Sequence, residues 1–126
     1  MRNLRLPVAV LLAATLLAGC GPFIDVVKLD AAERPKLRER VRYYEGSGPP
    51  SRQVIQPIRA TSCTRVIPPW TASQEDAIDQ LRFTAASMGA NGLANLTCDD
   101  PEGLSMAKNC WSAVTCRAHA IKVPTQ

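Results

Sequence analysis

The sequence predicts an α+β fold: one helix packed on a small antiparallel sheet in the order β–β–α–β–β, stapled by two disulfides. Three observations predict it. One segment, opening at Ser73, carries both a capping residue and a helical apolar stripe. Short β-prone runs lie on either side of it, at 41–44 and 54–61 before and 93–98 and 111–121 after. Finally, Cys63, Cys98, Cys110 and Cys116 form an even set in a small exported domain.

Export is read from the N-terminus. Arg2 and Arg5 precede an apolar run ending in Leu17-Ala18-Gly19-Cys20. This is the basic, apolar and small-residue order of an export signal. The run is too short to cross ~30 Å of hydrocarbon at about 1.5 Å per residue. A cysteine directly after the small pair makes the segment resemble a bacterial lipobox, rather than a plain secretory signal. The resemblance implies cleavage after residue 19 and lipidation (palmitate) of Cys20. Gly21 in place of an aspartate implies sorting to the outer membrane. The chain therefore divides into a signal peptide (1–19), a lipidated N-terminus with a charged tether (20–40) and a domain (41–126). The membrane is then a partner through the lipid on Cys20.

Charge supports no nucleic-acid role. The formal balance of +4 falls to +2 when Arg2 and Arg5 leave with the signal, and an exported domain rarely meets nucleic acid. In the tether, Lys28, Arg34, Lys36, Arg38 and Arg40, with Arg42 just beyond, outnumber Asp30, Glu33 and Glu39. The plain reading is a solvated linker; the sharper one is contact with anionic headgroups. Phe23, Ile24, Val26 and Val27 lie at the membrane interface, pack on the domain, or face a partner.

Within the domain, residues 41–44 form a short strand, and the Gly/Pro-rich stretch 45–51 a loop. Residues 54–61 form the next strand, where Pro57 demands an edge or a bulge because it cannot donate to a ladder. Cys63 closes that strand, and Pro68-Pro69 the loop after it. In the helix, Ser73 through Asp76 fits a capping box, Ile78, Leu81, Ala85 and Met88 fall on one face, and Gly89 terminates. Asn91-Gly92 turns the chain into strand 93–98. A loop to about 109 follows, then the last strand, whose register the pattern leaves open. With only two Trp, two Tyr and two Phe, a core this small is marginal, so two disulfides at ~2–4 kcal/mol each matter. Four cysteines allow three connectivities.

Nothing in the sequence assembles a catalytic site, and no cofactor is expected. The single histidine, His119, could join Cys98, Cys110 and Cys116 around zinc, but the paired C-x2-C clip of a zinc signature is missing. Asp99, Asp100 and Glu102 are acidic without the alternating spacing of a calcium loop.

Residues 84–98, with Ala60-Thr61-Ser62-Cys63 and Cys110-Trp-Ser-Ala-Val-Thr-Cys116, resemble the RcsF-like family of outer-membrane stress-sensor lipoproteins. The resemblance runs from about Val41 to Ile121. It implies a compact α+β domain held by Cys63–Cys110 and Cys98–Cys116. It also implies a non-enzymatic role, with the chain held at an outer-membrane barrel by the barrel-assembly machinery. Under envelope stress the domain would then contact an inner-membrane inhibitor and release the Rcs phosphorelay. The tether is shorter than the family's, and the loop between Cys98 and Cys110 longer. Two other functions stay open: a structural or assembly lipoprotein that binds a barrel without signalling, and a small metal- or ligand-binding module.

Overall fold

A computed structural model of the chain describes residues 28–65, 71–105 and 109–125. The export signal, Cys20, the apolar residues 23, 24, 26 and 27, and Pro68-Pro69 lie outside the described residues. The elements are α1 (Glu33–Arg40), β1 (Arg42–Tyr43), β2 (Gln53–Thr64), α2 (Gln74–Ser87), β3 (Gly92–Cys98) and β4 (Ser112–Lys122). The strands form one four-stranded sheet in the order β1-β3-β4-β2. The α+β class and the two disulfides are those the sequence predicts.

β4 is the axis of the sheet. It runs antiparallel to β2 along almost its whole length and to β3 on its other side. Register follows from alternation: Val114, Cys116, Ala118 and Ala120 point into the core, together with Ile58 of β2 and Leu93 of β3. Pro57 sits on β2, the edge strand, with a bulge between Val54 and Gln56. That is where a residue without an N–H is tolerated.

The helix α2 lies across this face. Ser73 accepts a hydrogen bond from the Asp76 N–H at 3.1 Å, as its capping pattern predicts. Ala77, Leu81 and Ala85 are buried against the sheet, and their small size brings helix and strands close. The chain leaves the helix through Met88 and Gly89, whose φ of +77° needs a glycine.

Two features differ from the sequence reading. The sheet is not wholly antiparallel, because β1 pairs in parallel with β3 through Arg42↔Gly92 and Tyr43↔Leu93. β2 and α2 intervene between these two strands, a connection long enough to bring the chain back in the same direction. Their approach is close: a Cβ on Gly92 would stand 2.8 Å from the Tyr44 ring. The second difference concerns the tether, whose last eight residues, Glu33–Arg40, are helical and docked on α2. Leu37 is buried and its carbonyl accepts from the Val41 N–H at 2.8 Å. The folded unit therefore begins near residue 33 rather than at 41. Two of the charges that look like a solvated linker, Arg34 and Arg38, are here used in ion pairs.

Candidate functional site

The four sulfurs clamp both faces of the sheet. Cys98 ends β3 directly opposite Cys116 of β4, their Cα atoms 4.0 Å apart. This bridge lies on the helix side, where Cys116 is fully buried. Cys63 near the end of β2 bonds to Cys110, with Cα atoms 5.6 Å apart. It fastens the 99–111 loop to the edge strand, which also accepts from the Trp111 N–H through the Thr64 carbonyl at 2.8 Å. The loop is hydrogen-bonded as an irregular hairpin, through Glu102 with Ala113 and Ser105 with Cys110. It presents Leu104 and Trp111 to solvent.

With all four of these cysteines in disulfides, none is a free thiolate: of the sulfurs of the zinc alternative, Cys98 and Cys116 are bonded to each other and Cys110 to Cys63. His119 stands apart from them, its Nδ1 3.0 Å from the Asn95 Nδ2. Among the described residues no group of three or more His, Cys, Asp or Glu could hold a metal. Of the acidic loop, Asp99 pairs with Arg117 at 2.8 Å. Nor is any helix of the described residues long and apolar enough to cross a membrane.

A second constellation was invisible in the periodicity of the sequence. The Asp79 side chain, on α2, is completely buried. Arg38 grips it with Nε and Nη2 at 3.1 and 2.8 Å, Arg82 donates at 2.8 Å, and Arg34 at 3.2 Å. Arg34 also reaches Asp76 at 2.6 Å, whose other oxygen accepts from the buried Gln80 at 2.9 Å. Burial alone would lift the Asp79 carboxyl, but the hydrogen bonds from Arg38, Arg82 and Arg34 outweigh it and hold it below the usual carboxylate range. Hydrogen bonds to Asp79 and Glu75 push the Arg38 guanidinium up, and those to Asp76 and then Asp79 push Arg34 up. Complementary spacing was the available signal: arginines four apart at 34 and 38, acids at 75, 76 and 79. Beside this cluster, α1 and α2 enclose a groove of about 390 Å³ lined by Leu37, Phe83 and Ala86, with Glu33, Lys36 and Arg40 at its rim.

Fold and site together describe a small α+β domain cross-linked on both faces of its sheet, with a short N-terminal helix held by buried charge. No protein-family model and no curated protein matches the chain.

Proposed function

We propose that the protein is a lipid-anchored envelope lipoprotein of the RcsF type, tied to the outer membrane through Cys20, whose domain reports envelope damage by changing partners. Held at an outer-membrane barrel in the resting state, it would be released under stress to bind an inner-membrane inhibitor of a phosphorelay. This is a population shift driven by differential affinity of the two partners. One observation carries the reading: of three possible connectivities, the cysteines take Cys63–Cys110 and Cys98–Cys116, the one that the resemblance implies. That pairing needs an oxidising compartment, in keeping with an export signal. Because the folded unit begins near residue 33, residues 21–32 reach at most ~40 Å from the anchor. Partner exchange would take place within that distance of the membrane.

The test has two parts. Labelled palmitate should enter the full chain and be lost in Cys20→Ala. Deletion of the protein should blunt the transcriptional response to lipopolysaccharide damage. Absence of label removes the anchor, and an unchanged response removes the sensor. An unchanged response with crosslinks to outer-membrane proteins alone would assign the protein to barrel assembly instead.

A further inference from the structure

The face of the sheet turned away from α2 is covered at both ends and open in the middle. At one end the row Thr61–Thr115 is buried, the two hydroxyls 2.9 Å apart. At the other, Ile121 is buried beneath the 45–52 loop, where a Cβ on Gly48 would stand 3.1 Å from its Cδ1. Between them lies a groove of about 510 Å³.

Two arginines face each other across this groove. Arg59 of β2 is the direct antiparallel partner of Arg117 of β4, and both are exposed. Alternation puts both on the face opposite the core, because their neighbours Ile58, Cys116 and Ala118 point into it. Like charges directly opposite on paired strands repel and destabilise the pair. The Arg59 side chain has no hydrogen-bond or ion-pair partner among the described residues. Arg117 has only Asp99, in an exposed pair with side chains 53% and 45% accessible, the kind that contributes little and exchanges readily. The fold therefore sets two arginines opposite each other, with the exposed Asp99 carboxylate as the one anion paired to them among the described residues.

The neighbours supply further donors. Thr97 of β3 is paired with Arg117 on its other side. Next along the strand, His119 pairs with Pro57. Asn95, held at φ +51° in the β3 irregularity, sets its amide against the His119 Nδ1. In the tautomer that accepts from that amide at Nδ1, Nε2 carries the N–H and is a donor.

We propose that this strip binds a phosphate group, held between the Arg59 and Arg117 guanidiniums with Thr97 and His119 as flanking donors. Two guanidinium forks on neighbouring strands suit a tetrahedral oxyanion, whose diverging oxygens engage both at once. The groove has room for the ester substituent of a headgroup as well as for free phosphate. This site does not depend on the lipoprotein reading.

The experiment uses the ¹⁵N-labelled full chain in nanodiscs of phosphatidylcholine, reading the Arg59 and Arg117 side-chain Nε–H signals. Inorganic phosphate is titrated at constant ionic strength against chloride. In parallel, discs containing phosphatidylglycerol replace the neutral ones. A saturable shift with inorganic phosphate assigns a free-phosphate site, and a shift only with phosphatidylglycerol assigns a headgroup site. Either supports the proposal, provided that Arg59→Gln and Arg117→Gln each weaken binding at least tenfold while Arg40→Gln, on α1, leaves it unchanged. Both variants replace exposed side chains, and intact disulfides by mass mapping check their fold. Equal response to chloride, no response to either phosphate source, or equal loss in Arg40→Gln overturns it. So does saturable binding of a polyglutamate peptide without any response to phosphate.

Discussion

At the scale of single residues, Asp79 is the group whose charge the fold can least do without. A fully buried carboxylate is tolerated because three guanidiniums satisfy it. Replacing it with asparagine removes the shared counter-charge, although Arg34 keeps Asp76 and Arg38 keeps Glu75. Losing charged hydrogen bonds of this kind costs about 1.5–3 kcal/mol. Asp79→Asn should therefore lower the unfolding free energy by roughly that amount in a urea titration. The pH dependence follows from the same contacts. Because the folded-state pKa of Asp79 lies below its ordinary value, the unfolded chain binds the proton more readily. Its contribution to stability is full above the unfolded pKa of about 3.9 and is lost as pH falls through the lower folded value. Urea midpoints should change little between pH 7 and 5 on this residue's account and drop below about pH 4, a drop that Asp79→Asn makes shallower. Ser73→Ala is a smaller change: losing its cap to the Asp76 N–H should cost about 1 kcal/mol.

At the scale of elements, α1 is attached differently from the rest. Leu37 is its one buried side chain, and the remaining attachment runs through Arg34 and Arg38 to the acids of α2. An eight-residue helix is too short to hold itself together in water, so α1 depends on this docking. Leu37→Ala combined with Arg38→Gln should speed amide exchange across α1 at least tenfold while the β4 amides keep their protection. Uniform acceleration in both elements would mean instead that α1 opens only with the whole domain. The contrast with α2 is one of burial: α2 contributes Ala77, Leu81 and Ala85 to the core and needs no charge to stay in place.

At the scale of the whole molecule, the two disulfides divide the constraint between the faces. Cys63–Cys110 spans 47 residues and Cys98–Cys116 spans 18. In the chain-entropy account these loops correspond to about 4 and about 3 kcal/mol. The loops overlap, so the two contributions are not additive. Cys63→Ala with Cys110→Ala should lower stability by roughly the larger figure, and loosen the 99–111 loop that the bridge ties to β2. Cys98→Ala with Cys116→Ala should cost about 3 kcal/mol plus a packing loss, since Cys116 is buried beside Val114 and Ala118. Calorimetry of the two double variants checks the order.

Local chemistry alone determined much of this protein. The cap at Ser73, the apolar face of α2, the stop at Gly89, the edge placement of Pro57 and the strands around them are consequences of a few neighbouring residues each, and all were legible. The even cysteine count announced two bridges, though the residues themselves did not say which sulfurs meet. Only the tertiary structure decided that β1 runs parallel to β3, that Arg34 and Arg38 turn inward to Asp79, and that Arg59 stands opposite Arg117. Each of these joins residues more than forty positions apart in the chain. Periodicity reports the face that a residue occupies on its own element. Which distant element covers that face is set by sheet register and by the competition between solvating a charge and pairing it.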